Sequence, residues 1–302
     1  MGGERQESEE RRGYSIRGHA FAAPKLDPGL YVVATPIGNL SDVTIRALDT
    51  LAGADIVACE DTRVTKRLLD RYGISARVTA YHEHSGPAAH RRLLDALGEG
   101  KSVAIVSDAG TPLVSDPGAA LVTDAIAAGH RVVPIPGASS LAAALSASGL
   151  PTDEVLYLGF LPSKTQARKT YLEVAAPVVA TLVLFESPNR IASLLNDAAT
   201  VLGNGRQAAV CRELTKIHET FDRGTLAELA ERYADRAVKG EIVLVIAPPE
   251  GDAPPAEADV DAALLDALKS MGVKEAADRV AASTGLSRRT LYQRALKLKA
   301  EG

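Results

Sequence analysis

Cysteine is scarce in this chain: two residues, Cys59 and Cys211, lie far apart among 302 and form no C-x-x-C pair. Neither a disulfide framework nor a zinc knuckle has support, and a reducing, cytoplasmic setting fits. Tryptophan is absent and aromatics amount to 4%, which argues against a surface paved with stacking platforms for single strands. Positive charge is not in excess. With 38 acids against 34 bases the net charge is -4, so bulk charge does not hold a nucleic acid, although a local basic patch stays open. No apolar run reaches the roughly 18 residues of a membrane span, because Gly, Pro or a charge interrupts each one. Residues 1–27 mix Glu4, Glu7, Glu9 and Glu10 with Arg5, Arg11, Arg12 and Arg17, lack a signal-type apolar stretch, and read as a disordered leader.

What is present is globular. Hydrophobic residues make up 46% and charged residues 24%, near the soluble averages, and the length suits about two domains. From Leu30 onward, strand-like runs at Leu30–Ala34, Asp55–Ala58, Arg77–Tyr81, Ser102–Val106 and Arg131–Ile135 alternate with helical patterns at Ser41–Leu51, Val64–Tyr72, Pro87–Leu97, Gly118–Ala128 and Ser139–Ser148. Repeated βα units predict a parallel sheet covered on both faces. The turn cluster Gly149–Asp153 predicts a boundary. Beyond it the chain is more β-rich, with strands expected at Val155–Phe160, Thr181–Glu186, Gln207–Arg212 and Glu241–Ala247, and helices at Arg190–Leu202 and Leu226–Ala234. Pro248–Pro255 reads as a stiff linker before a small helical tail. The expected organisation is therefore a leader (1–27), two α/β domains (28–150 and 151–248), a linker (249–258) and a tail (259–302).

Two nucleotide-type signatures fail on context. Gly203-Asn-Gly205-Arg-Gln-Ala208 and Gly100-Lys101-Ser102 each run from a helix into a strand, the reverse of a phosphate-binding turn. The informative loops follow the first-half strands, because ligands of open α/β sheets sit beyond the carboxyl ends of the strands. Three such loops are rich in Gly, Pro and hydroxyls: Thr35–Asp42, Ser107–Gly118 and Pro134–Ser140. Glycine allows close backbone approach and proline fixes loop shape, so together they point to a preformed small-molecule pocket.

Leu30-Tyr-Val-Val-Ala-Thr-Pro-Ile-Gly-Asn-Leu-Ser-Asp42, Glu60-Asp-Thr-Arg63, Val106-Ser-Asp-Ala-Gly-Thr-Pro-Leu-Val-Ser-Asp-Pro-Gly118, Pro134-Ile-Pro-Gly-Ala-Ser-Ser140 and Phe185-Glu-Ser-Pro-Asn-Arg190 resemble, in order, the ribosomal RNA small subunit methyltransferase I family of the tetrapyrrole methylase superfamily. The resemblance spans about Leu30 to Ala247. It implies two α/β domains with S-adenosylmethionine bent into the cleft between them, methylation of a cytidine ribose 2′-hydroxyl in the decoding region of 16S ribosomal RNA within the small ribosomal subunit, and a homodimer. Where the superfamily's corphyrin methylases carry G-x-G-P-G-D/E, this chain has Ala34-Thr-Pro-Ile-Gly38-Asn39, a departure that favours the RNA branch. The resemblance implies a donor site built from Pro36, Gly38 and Asn39; from Ser107, Asp108, Gly110, Thr111, Pro112, Ser115 and Asp116; from Pro136, Gly137, Ser139 and Ser140; and from Glu186 and Ser187. Within it, Asp108 to Pro112 would line the methionine side and Pro136 to Ser140 the adenosine.

Glu60, Asp61, Arg63, Lys66 and Arg67 follow a first-half strand on the same sheet edge. Carboxylates beside guanidiniums could deprotonate a ribose hydroxyl while bases grip phosphates, or Asp61 could simply cap a helix with a solvated face. His82 and His84 alternate, yet no third ligand stands nearby in sequence; a hydrogen bond to ribose or phosphate is the other reading, with His82 a reserve base, and no metal is required. His19, His90, His130 and His218 read as surface residues. Arg190, Arg212, Lys216 and Lys239 are either an RNA-facing rim or solvated charge.

In the tail, Val273, Ala276, Ala277 and Val280 recur at helical spacing, Ser283–Leu286 makes a turn, and Ser287 can cap a helix whose Leu291, Ala295 and Leu298 face inward. This helix-turn-helix pattern carries Arg288, Arg289, Arg294, Lys297 and Lys299 without an acid between Gly285 and Ala300. It is a nucleic-acid contact or a packing hairpin. Besides RNA methylation, a tetrapyrrole-type small-molecule methylase and a ligand-sensing nucleic-acid-binding regulator remain open at this point.

Overall fold

Strands begin earlier than expected. In the computed structural model, which describes residues 12–82, 85–114, 118–249, 257–284 and 286–301, β1 (Gly13–Ile16) and β2 (His19–Ala22) form an antiparallel hairpin inside the stretch read as leader. Its two-residue loop, Arg17-Gly18, has φ of 50° and 85°, the pair of positive values that a type I′ turn needs. Tyr14 is buried in the core and stacks on Phe21 at 5.5 Å, while Arg12 donates to the Gly53 carbonyl and pairs with Asp55 at 2.7 Å. The hairpin is therefore part of the body. His84, Ser115 and Asp116 lie outside the described residues.

The βα alternation produces the parallel sheet. β3 (Gly29–Val33), β4 (Ile56–Cys59), β5 (Val78–Ala80), β6 (Ser102–Val106) and β7 (Val132–Ile135) are ordered β5-β4-β6-β3-β7, with every neighbouring pair parallel. The intervening helices are α1 (Ile45–Gly53), α2 (Thr62–Arg71), α3 (Pro87–Gly98), α4 (Ala119–Ala127) and α5 (Ser140–Ser148). Alternate strand residues go to opposite cores. Val33, Val57 and Cys59 pack with Leu48 and Leu51 of α1 and Leu68 of α2; Leu30, Ile56 and Ile105 pack with Leu93 of α3 and Leu121 of α4.

The second sheet is mixed. β8 (Val155–Phe160), β9 (Thr181–Glu186), β10 (Gln207–Arg212), β11 (Thr220–Thr225) and β12 (Ile242–Ile246) are ordered β11-β10-β12-β9-β8, and only β8 and β9 run parallel. One face carries α6 (Thr165–Ala175), α7 (Ile191–Leu202) and α8 (Leu226–Tyr233). The other receives α5, whose Ala144 joins Val183, Ala209, Cys211 and Val243, and whose final carbonyls, at Ala147 and Ser148, accept from Arg223 at 2.5 and 2.9 Å. A helix of the first half thus seals the sheet of the second, and the chain to Pro248 is one compact unit containing both sheets.

Cys59 and Cys211 sit in these cores at 0% exposure. Burial raises both thiols, Cys211 to about 12. Neither should react with a maleimide in the native protein, and both should react once denaturant is added; native-state labelling followed by mass spectrometry reads the difference.

The second unit, from Pro249, holds α9 (Glu257–Leu268), α10 (Val273–Thr284) and α11 (Arg288–Glu301) around Leu264, Ala276, Val280, Leu291 and Ala295. Helix α9 begins inside the stretch assigned to the linker. Among the described residues no helix is long and apolar enough to cross a membrane.

Candidate active site

The carboxyl ends of β3, β4, β6 and β7 feed loops to one edge of the parallel sheet, as the sequence predicted. There, with the ends of β8 and β9 and the start of β12, they enclose a cavity of about 510 Å³. The size suits a small-molecule ligand. The loops brace one another. Thr35 and Gly110 exchange backbone hydrogen bonds of 2.8 and 3.0 Å, the Thr111 hydroxyl donates to the Ala138 carbonyl at 3.3 Å, and Asp108 accepts from the Asp61 N–H at 3.0 Å. Gly110 has φ +81°, and a Cβ there would lie 3.2 Å from the Ile37 side chain.

Of the residues predicted for this site, Glu60, Asp108, Gly110, Thr111, Ser139, Ser140, Glu186 and Ser187 line the cavity. The other described ones are not among its lining residues. Pro36 and Pro112 are buried in their loops, and the Ser107 hydroxyl donates to the Ala109 carbonyl at 3.2 Å. Pro136 is exposed, and Gly137 permits close contact with Ala34, which a Cβ would meet at 3.0 Å. Gly38 and Asn39 face the β10–β11 loop: the Asn39 N–H donates to the Thr215 hydroxyl at 3.1 Å, and a Cβ on Gly38 would strike the Lys216 stem at 2.5 Å.

Asp61 is the N-cap of α2. Its carboxylate accepts from the Arg63 N–H at 2.8 Å and from the Arg63 guanidinium at 2.6 Å. The guanidinium hydrogen bond first, then the backbone N–H, holds its pKa down to about 2, and so acidic a carboxyl is a feeble proton acceptor near neutrality. His82 follows β5, its N–H donating to the Ser85 hydroxyl at 2.8 Å, and is not among the residues lining the cavity. His90, expected as a surface residue, instead joins a relay: the Tyr81 hydroxyl lies 2.9 Å from its Nδ1, and Asp124 lies 2.9 Å from its Nε2.

Arg63, Lys66 and Arg67 are exposed on α2 at i, i+3 and i+4, one face of that helix. Arg190 departs from the expected rim. Its Nη2 donates to the Leu161 carbonyl at 2.8 Å and lies 3.1 Å from Glu186 Oε2. Lys216 is likewise engaged, between Glu213 at 2.7 Å and Glu241 at 2.9 Å. Burial works against its charge, but the two carboxylates outweigh it and the pKa is raised. In the second unit Arg288 and Arg289 are exposed, whereas Arg294 makes a two-pronged bond to Asp261 at 2.5 and 3.0 Å that ties α11 to α9.

Of the second sheet's share of the cavity, sequence reasoning named Glu186 and Ser187 but missed Phe160, Phe185, Leu214 and Gly240 to Val243. It missed strain as well. Leu113, Glu213 and Thr215 hold positive φ of 73°, 52° and 67° in loops around the site, a conformation that costs roughly 1–3 kcal/mol per residue and gathers at functional sites. Glu186 is buried on the cavity wall, where its Oε1 accepts from the Ser187 N–H at 2.7 Å and its Oε2 is ion-paired with Arg190.

Residues 29–230 match the family Tetrapyrrole (Corrin/Porphyrin) Methylases, and residues 254–299 match the RsmI C-terminal HTH domain. The chain is similar to proteins named ribosomal RNA small subunit methyltransferase I. It is 55% identical over 278 residues to that of Mesorhizobium japonicum, covering 92% of this chain and 94% of the relative. To that of Escherichia coli O157:H7 it is 42% identical over 272 residues, covering 89% and 94%. Among solved structures it is similar to cobalt precorrin-4 methyltransferase, with TM-score 0.58 and 19% identity over 72% of this chain and 94% of that one. Uroporphyrin-III C-methyl transferase from Thermus thermophilus, complexed with S-adenyl homocysteine, gives TM-score 0.53 at 20% identity, covering 72% and 97%. At such identities the two structures speak to fold.

Proposed function

Since the chain belongs to the tetrapyrrole (corrin/porphyrin) methylase family, in its ribosomal RNA small subunit methyltransferase I branch, we propose that it methylates, from S-adenosylmethionine, the ribose 2′-hydroxyl of a cytidine in the decoding region of 16S ribosomal RNA. The observation that carries this reading is 55% identity over 92% of the chain to a relative so named. The activity belongs in the cytoplasm, on RNA of the small ribosomal subunit, and the chain acts as a homodimer.

The cavity fits the donor. Gly110 leaves room where a side chain would intrude, Ser139 and Ser140 line the wall, and the Glu186 carboxylate, held by Arg190 and the Ser187 N–H, offers a buried acceptor suited to a hydroxyl. Those residues, with Asp108 and Thr111, hold it. When bound, S-adenosylmethionine supplies an electrophilic methyl group. A ribose hydroxyl is a poor nucleophile at neutral pH, and Glu60, the cavity-lining carboxylate of the Glu60–Asp61 pair, takes its proton. Asp61 holds the start of α2, so that Arg63, Lys66 and Arg67 face phosphates.

The test is a map of ribose methylation in 16S ribosomal RNA from cells with and without this protein. One cytidine in the decoding region should lose its 2′-O-methyl group in the deleted strain; identical maps would reject the reading. The tail adds RNA affinity. Replacing Arg288 and Arg289 with Ala should weaken RNA binding, lower the log–log salt slope by about one for each lost phosphate contact and leave donor affinity unchanged. Parental affinity and slope would make the tail a packing element.

A further inference from the structure

Phe160 ends β8 on the face opposite to the one its sequence position dictates. Side chains alternate along a strand, and Leu156 and Leu158 pack into the core under α6, α7 and α8. Phe160, two residues on, belongs beside them by alternation. Instead the β8–β9 register shifts between Tyr157 and Gly159, Gly159 takes φ +63°, and Phe160 emerges on the Tyr157 side, where it lines the cavity with 59% of its surface exposed. Bulges beside active sites commonly re-aim a side chain in this way. Phe185 meets both rings edge-on, at 5.3 Å from Tyr157 and 5.6 Å from Phe160, with interplanar angles of 69° and 70°. Phe160 is thus braced from one side and open on the rest. In a chain with four Phe and no Trp, a ring held at a cavity mouth and left to water invites a flat partner.

We infer that Phe160 is the platform on which the heterocycle of the target nucleotide stacks while its ribose enters the cavity, making it a positioning residue for the acceptor. The inference rests on the nucleic-acid reading above and names how that substrate is held. Stacking of one base on an aromatic ring is worth roughly 5- to 150-fold in affinity.

Phe160→Leu keeps the apolar bulk and removes the π face, and because the residue is exposed the fold is not at stake. The substrate is purified small ribosomal subunits from cells lacking this protein, assayed in single turnover over a range of subunit concentrations. The half-saturating concentration should rise at least fivefold, donor affinity by calorimetry should stay within twofold, and Phe160→Tyr should restore most of the loss. A Leu variant with the parental half-saturating concentration would overturn the inference while the parent's activity upheld the reading beneath it. So would a loss confined to donor affinity, which would put the donor's adenine on the ring. A parent chain that transfers no methyl group to the subunits would reject the reading and the inference together.

Discussion

Gly110→Val should abolish measurable S-adenosylmethionine binding and leave the protein folded. Gly110 lies on the cavity wall with φ +81°, locked to Thr35 by two backbone hydrogen bonds, and its absent Cβ would sit 3.2 Å from Ile37. A branched side chain at that point must crowd the cavity or force the loop away from Thr35. The left-handed backbone adds strain of about 1–3 kcal/mol, which a domain stable by about 5–15 kcal/mol survives. The dissociation constant should rise at least 100-fold by calorimetry, with a cooperative thermal transition retained. Undiminished binding by the folded variant would move the donor site elsewhere.

Glu60→Gln should be the most damaging conservative change to the chemical step. A positioned base contributes about 10²–10⁴-fold, and Gln keeps the shape while losing basicity. Single-turnover methylation should fall by at least 100-fold while donor affinity stays within twofold. The neighbouring Asp61→Asn tells the two carboxylates apart. Asp61 already has its proton affinity suppressed to about 2 by Arg63, and Asn retains a capping oxygen, so that variant should methylate within about threefold of the parent, an expectation drawn from the same capping preference. A Glu60→Gln rate within threefold of the parent would send the search for the base to Glu186 or His82.

Asp61 also shows how far residue patterns reach. Its two sequence readings, base or cap, differ only in which group it touches, and the 2.8 and 2.6 Å contacts with Arg63 decide for the cap. The parallel sheet was legible because each β-branched run is followed by an amphipathic one, and the cavity-lining loops because Gly, Pro and hydroxyl residues concentrate at one strand edge. The N-terminal hairpin was hidden by its charged flank and by an Arg-Gly turn where Asn-Gly is the familiar signal. Helix α6 escaped because its buried stripe, Arg168, Leu172 and Ala175, contains a charge; the Arg168 Nε–H···Oδ2 bond to Asp197, 2.7 Å long, lies 29 residues along the chain. Strand β11, Thr-Phe-Asp-Arg-Gly-Thr, sits at a sheet edge with no fully buried residue, so alternation had little to mark it. Most of the cavity's far wall, beyond Glu186 and Ser187, was invisible for another reason: Phe160 depends on a bulge, and Gly240 to Val243 arrive through antiparallel pairing of β12 with β9.

The interior position of β3, between β6 and β7, sets a timetable for the nascent chain. Its partners on either side, β6 and β7, begin at Ser102 and Val132, so the first long strand to leave the ribosome has no neighbour until much later in synthesis. At about 5–20 residues per second, Gly29–Val33 waits roughly 5–20 s for both partners to be made. Until β6 has been made Leu-Tyr-Val-Val has neither strand partner, and the hairpin and α1, made early, share its core. The cavity-lining loops that β3, β6 and β7 carry cannot assemble before Ile135 has been made.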